Sequence, residues 1–422
     1  MNFIPQTDDD RKQMLARIGV SSLDELVAAM KPKLGRELNL PKALSELELT
    51  KHVKFLADKN VILKNFRGAG AYHHYIPSAV NHMLLRGEFF TAYTPYQPEV
   101  SQGTLQAIYE FQTMISQLTG MDAANASMYD CATAIAEAAI LSRAANGRKE
   151  IVLVGEINPQ YKTTLETYAK AGDFGIKYGT NDISQETSCV VVQNPDYHGS
   201  VQDLSELEKK THAAGALFVV VISDPTSLAV LKPPGEFNAD VVVGELQAFG
   251  NPMSFGGPTG GFMAVKTEFV KKIPGRLCGM SVDTRGQKAF ILTLQAREQH
   301  IKRERATSNI CSNQGLNALA AVIYLSLLGS TGLRQVAGLS CKQAHELQRQ
   351  LIGIGFAPEN QQFYNEFVVT SPVDVKKLND TLLENGFLGG VDLGNNRWLL
   401  CCTEMLSQDD LTEFLNVVKS CL

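Results

Sequence analysis

Several chemistries are excluded by what the 422-residue chain lacks. Its eight cysteines stand at positions 131, 189, 278, 311, 341, 401, 402 and 421, and none forms a CxxC pair, so the usual zinc spacing is missing. His73-His74 and His82 are near neighbours without an HExxH or a carboxylate–histidine set, and His345-Glu346 has no second histidine, so no metal site is expected. Lys and Arg number 39 against 44 Asp and Glu, a formal charge of -5, which is not the basic excess of a nucleic-acid binder. Uninterrupted apolar runs, such as 216–222, are far shorter than the ~20 residues of a membrane helix. The opening MNFIPQTDDDRK lacks the basic-then-apolar order of a secretion signal. A soluble protein of a reducing, cytoplasmic compartment is expected, with neither nucleic acid nor membrane among its partners.

Three familiar loops are incomplete as well. Gly68-Ala69-Gly70 has His73 where a dinucleotide fingerprint carries its third glycine. The glycine-dense stretch 256–261 has no Lys-Ser/Thr, so it reads as a turn into a strand and not as a phosphate loop. Gly279-Met280-Ser281-Val282-Asp283 ends in Asp where a nucleophile elbow needs glycine.

What remains is a globular composition, 44% hydrophobic and 20% charged, long enough for two or three domains. Residues 1–66 read as a helical N-terminal arm, with Thr7, Ser22 and Ser45 as caps. Residues 67–308 read as a large α/β domain. Its β-branched runs at 151–154, 189–192, 217–222, 241–243 and 261–265 alternate with helical patterns at 159–171 and 203–214. Runs apolar on both faces, separated by helices, call for a mostly parallel sheet covered on both sides. Residues 309–422 read as two long helices, 309–328 and 333–354, leading into a small α+β domain. There the strands are 366–370 and 397–402, the helices 373–384 and 408–422, and Cys401-Cys402 count as buried small hydrophobes.

Two segments are less ordinary. Tyr93-Thr94-Pro95-Tyr96-Gln97-Pro98-Glu99 is stiffened by two prolines and carries polar tips that suit a pocket. Alternation along an extended chain puts Tyr93, Pro95, Gln97 and Glu99 on one side, with Thr94, Tyr96 and Pro98 on the other. The charged stretch from Arg297 ends in Arg305-Ala306-Thr307-Ser308-Asn309 before an apolar helix. Hydroxyls at a helix start either bind phosphate or simply cap the helix.

Together with Gly68–Tyr72, Thr91–Gly103, Asn125–Ala138, Leu231–Glu236, Ser254–Gly261 and Leu292–Gln314, these segments make the chain resemble the glycine decarboxylase (P-protein) family of the glycine cleavage system. Within that family it is similar to subunit 1, the alpha subunit of the split two-chain form. The resemblance implies a pyridoxal-phosphate (PLP) fold of type I. It also implies decarboxylation of glycine, with PLP as the electron sink, and transfer of the aminomethyl group to the lipoyl arm of the H-protein. That chemistry needs a lysine to hold PLP as a Schiff base, placed after a late strand and before the glycine-rich turn. No lysine lies between Lys232 and Lys266, and Gln247 occupies the place. Ser127-Met128-Tyr129 replaces the small residues expected at the phosphate cup. Cys131 stands where glycine is expected, and 245–249 departs from the family pattern. Asp224 can stand in for the carboxylate that pairs with the pyridine nitrogen.

The reading is therefore a degenerate half of a two-chain enzyme. No catalytic residue is assigned to it, and PLP is carried by a lysine-bearing partner, subunit 2. Two copies of each chain are expected. Tyr93, Thr94, Tyr96, Gln97 and Glu99 are expected at the mouth of the shared site, where glycine and the lipoyl arm enter. Arg305, Thr307, Ser308 and Asn309 are expected near the partner's PLP phosphate. Two other readings stay open: a self-sufficient PLP enzyme such as an amino-acid decarboxylase or aminotransferase, and a structural scaffold for the catalytic subunit.

Overall fold

The computed structural model describes residues 6–28, 39–91, 93–295 and 298–422; the opening MNFIP, and Ala92 and Arg297 within the segments singled out above, lie outside that range. The chain forms two compact units, Met1–Val61 and Ile62–Leu422. In the first, helices Asp8–Ile18, Leu23–Leu26 and Glu46–Ala57 start at Thr7, Ser22 and Ser45, whose side chains satisfy amides that the helices cannot. None of them buries a residue, and Met14, Ile18, Leu47 and Val53 stay more than half exposed.

The second unit is built on a seven-stranded sheet. In spatial order its strands are Ala123–Ala124, Gly261–Val265, Val241–Glu245, Leu217–Ile222, Thr187–Gln193, Glu150–Val154 and Gly175–Tyr178. The last five run parallel; Gly261–Val265 runs antiparallel to Val241–Glu245. Successive residues of one strand feed opposite cores. Val219 and Val221 pack with helices Cys131–Asn146 and Pro159–Gly172. Phe218 and Val220 pack with helix Gln102–Thr119 and the first half of Gly315–Ile352. That double cover is why the β-branched runs are apolar without alternation. A hairpin of Leu277–Val282 and Lys288–Thr293, unforeseen from the sequence, is bound to Gln102–Thr119 through the amides of Gln102 and Gln112.

The helix expected from Asn309 starts only at Gly315, because residues 306–314 run as extended chain and turns against the large domain. By length and composition Gly315–Ile352 could cross a membrane, a property that counting uninterrupted runs does not register. Non-helical Gly329 interrupts it, and Ala320, Tyr324, Leu347 and Leu351 lie buried in two cores. Beyond it a four-stranded antiparallel sheet, ordered Ala357–Pro358, Glu366–Thr370, Arg397–Cys401 and Val391–Asp392, carries helices Val375–Glu384 and Gln408–Ser420. Cys401 and Cys402 are buried there. Residues 64–66 join this layer and not the arm to which the sequence assigns them. Lys64–Asn65 pairs with Phe387–Leu388, and Phe66 stacks on Phe414 at 3.9 Å.

Trp398 is the largest side chain of that core: it is fully buried, stacks on Phe414 at 5.8 Å and donates its indole N–H to Asn379. Trp398→Ala should cost about 3–5 kcal/mol by emptying a close-packed site, read as a fall in urea midpoint.

Candidate functional site

Ligands of open α/β sheets bind at the carboxyl ends of the strands, near the point where strand order reverses. Here the order reverses about Glu150–Val154, and four strands end side by side in Asn158, Gln193, the Ser223-Asp224 pair and Gln247. All five side chains are buried. The segment 66–75 crosses this edge and fills it. The Tyr72 amide donates to Gln247 Oε1 at 2.7 Å, and Gln247 Nε2 donates to the Asn251 carbonyl at 2.9 Å. Tyr72 donates its hydroxyl to Glu366 Oε2 at 2.7 Å, and the Ala69 amide donates to Glu366 Oε1 at 2.5 Å. The Gly68-Ala69-Gly70 turn is explained here, since a Cβ on residue 68 would collide with the Glu366 carboxylate. Burial pushes the Glu366 carboxyl up to about 7, against the opposing pull of those two donors.

His74 lies between two carboxylates, with Nε2 at 3.2 Å from Asp224 and Nδ1 at 2.7 Å from Glu404. Burial works against its charge, but the two partners raise its pKa to about 10, and His74 in turn holds both carboxyls below their ordinary range despite burial. Asp224 is further bound by Asn365 Nδ2 at 2.7 Å and by the Thr226 amide and hydroxyl. The sequence flagged His73-His74 only as a poor metal motif; among the described residues no metal-holding cluster occurs.

The amino end of helix Cys131–Asn146 points at the same edge. It is closed by the chain's own acids: Asp130 accepts from the Thr133 amide at 2.7 Å and Glu245 from the Cys131 amide at 3.1 Å. Burial raises the Glu245 carboxyl to about 7, and the Thr259 hydroxyl also donates to it.

A PLP site of this kind needs a lysine, a carboxylate for the pyridine nitrogen and free amides for the phosphate. In this chain the first is a saturated amide, the second is tied to a histidine cation, and the third are capped by carboxylates. Its own residues therefore do not fit the cofactor. Lys266 is no substitute, because its Nζ pairs with Asp240 at 2.6 Å beside the opposite, amino end of strand Val241–Glu245.

Segment 93–99 lies elsewhere, with Tyr93, Thr94 and Pro95 along a cleft they share with Arg276, Ser312 and Asn313; the segment ending in Asn309 adds nothing to it, and its Arg305, Thr307 and Ser308 line a separate hollow with Glu137 and Lys272. Thr94 donates to Ser312 Oγ at 2.8 Å, and Tyr96 accepts from Arg276 Nη2 at 2.8 Å. Tyr93 is exposed at the edge of that cleft, and Gln97 and Glu99, exposed too, do not line it. Arg276, which sequence reasoning missed, is buried and also pairs with Glu298. Nothing local marks it; its partners come from segments 180 and 22 residues away. Arg305, Thr307 and Asn309 are exposed, whereas Ser308 gives its hydroxyl to Glu137 at 2.9 Å. These four do not start a helix, so the capping reading fails and the phosphate reading loses the helix start from which it was argued.

The whole chain matches known proteins. The family model described as "Glycine cleavage system P-protein" matches residues 1–418. A relative from Geobacillus sp. (strain WCH70), named a probable glycine dehydrogenase (decarboxylating) subunit 1, is 45% identical over 99% of both chains. The crystal structure of a glycine decarboxylase (P-protein) of the glycine cleavage system, in inhibitor-bound form, has a TM-score of 0.91 at 42% identity and full coverage of both chains. At 13% identity and a TM-score of 0.59, a C-DES variant with glycine covalently linked to its PLP cofactor covers 87% of this chain and 98% of its own; it shares the fold.

The charge arrangement sets a pH dependence. His74 has a folded pKa near 10 against 6.5 when free, so its contribution to stability is complete below 6.5 and is lost as pH rises through 10. Asp224 and Glu404, held low, lose theirs as pH falls into the acid range. His74→Gln should leave two facing buried carboxylates, destabilise by about 3–5 kcal/mol near neutral pH and flatten the alkaline slope of urea midpoint against pH.

Proposed function

Because the chain belongs to the glycine cleavage system P-protein family, with the fold of type I PLP-dependent enzymes, we propose that it is the lysine-free subunit of a two-chain glycine dehydrogenase (decarboxylating). The observation that carries this reading is Gln247, an amide held between Tyr72 and Asn251 where the chemistry requires an amine. A second, lysine-bearing subunit then holds PLP, which supplies the sink for the electron pair left when glycine loses carbon dioxide. The aminomethyl group passes to the lipoyl arm of the H-protein. We place the assembly in the cytoplasm, with two copies of each chain.

In this assembly the chain supplies a wall and an interface. Thr94 and Tyr96 fasten the 93–99 segment to the body, while the exposed side chains of Tyr93, at the cleft edge, and of Gln97 and Glu99 are available to the entry of the shared site. Arg305, Thr307 and Asn309 are free to approach the partner's phosphate group; Ser308, committed to Glu137, orients the loop that carries them. The apolar faces of the arm, which bury nothing in their own unit, are expected to pack on the partner. The scaffold reading differs in one respect: substitutions in 93–99 would leave turnover unchanged.

Co-expression with a lysine-bearing paralogue and a glycine-dependent carbon dioxide exchange assay test the reading. Activity should require both chains, and an active single chain would refute it. Borohydride reduction of the isolated chain with PLP should leave no phosphopyridoxyl peptide. Gln247→Lys should not create one, because Tyr72, Glu366 and the cap on Cys131–Asn146 remain; a stoichiometric adduct at residue 247 would show that the pocket is open. In the complex, Thr307→Ala should weaken PLP retention more than it lowers melting temperature, as measured by cofactor release on dialysis.

A further inference from the structure

We propose that Arg276 is a positioning residue that turns the Tyr96 hydroxyl into a hydrogen-bond donor aimed at an anionic oxygen of the shared site. The inference rests on the reading above, that segment 93–99 borders that site. Arg276 is only 3% exposed and connects three segments through one guanidinium. It pairs with Glu298 through Nη1, donates to Tyr96 from Nη2 at 2.8 Å, and donates to the Cys311 carbonyl from Nε at 3.1 Å. The guanidinium carbon also lies 5.0 Å from the centre of the Tyr96 ring.

A guanidinium offers donors and no acceptor. Tyr96 can therefore only accept from Arg276, and its own O–H is left to donate in another direction. Tyr96 is 42% exposed, which leaves an open side for that donation, and its ring packs edge-on against His300 with centroids 6.2 Å apart. Thr94, held by Ser312, fixes the backbone two residues earlier. A lone O–H donor on a partly exposed side chain suits an oxygen acceptor, and an anionic one best. Two sources have that chemistry, the carboxylate of the amino-acid substrate and the phosphate of the partner's cofactor. Lysine cannot take the place of Arg276, because an ammonium lacks the planar fork that reaches Glu298, Tyr96 and Cys311 at once.

The test uses the co-purified two-chain complex carrying Arg276→Lys, Tyr96→Phe or both. Each single variant should change one readout about tenfold, with melting temperature nearly unchanged. A raised KM for glycine identifies the substrate carboxylate, and faster PLP loss on dialysis identifies the phosphate. The double variant should be no worse than the poorer single one, since both remove the same oriented hydrogen. Additive effects, or wild-type behaviour of Arg276→Lys beside an impaired Tyr96→Phe, would overturn the positioning role and leave the border reading intact. Wild-type behaviour of Tyr96→Phe would overturn both. If Arg276→Lys does not assemble, Arg276→Gln combined with Glu298→Gln, which leaves no buried charge, must reproduce the Tyr96→Phe phenotype, and failure to do so counts against the proposal.

Discussion

The protonated ring of His74 lets the C-terminal layer close on the large sheet. Asp224 ends a central strand and Glu404 follows the last strand of the small sheet; without a cation between them, two buried carboxylates would face one another. Segment 66–75, which delivers that cation, is fastened at both ends. Phe66 is stacked in the C-terminal core, and the Tyr75 amide donates to Glu404 at 2.7 Å. Between those points Tyr72 reaches Gln247 and Glu366, and the His73 carbonyl accepts from Thr403 at 2.6 Å. Removing one charge from such a group costs more than the group contributes as a whole, because the remaining charges stay buried.

Arg276 offers an instructive contrast. Both cations are buried and paired with carboxylates, yet they do different work. His74 is enclosed on every side and consolidates the interior. Arg276 holds the inner side of a segment whose outer side is exposed. The polar groups of this chain thus fill one pocket and fasten one exposed segment.

The fold was largely legible because its signals are local. Runs 189–192, 217–222 and 241–243 could only be strands covered on both faces, and Thr7, Ser22 and Ser45 mark their helices through a single side chain each. The absence of a lysine between Lys232 and Lys266 was equally plain. What stayed hidden depends on distant pairs. Nothing near His74 announces Glu404, 330 residues away, nor does anything near Gly68 announce Glu366. The start of helix Gly315–Ile352 was misplaced for a similar reason. Thr307 and Ser308 look like caps, but Ser308 found its partner in Glu137, on another helix. The alternation expected of segment 93–99 does not hold, since Tyr93, Thr94 and Pro95 line one cleft together and Pro98–Val100 is a turn of 3-10 helix; the anchor that overrides it, Arg276, lies 180 residues away.

The filled pocket also changes how this polypeptide answers to its surroundings. A protein that binds a ligand only when folded gains stability by mass action as the ligand accumulates, and loses it when the ligand runs short. A pocket already occupied by Tyr72, His74 and Glu366 exchanges nothing with the solution, so it adds no dependence of this chain's own folding on cofactor supply. On the two-chain reading proposed above, scarcity of the cofactor would reach this chain only through its partner.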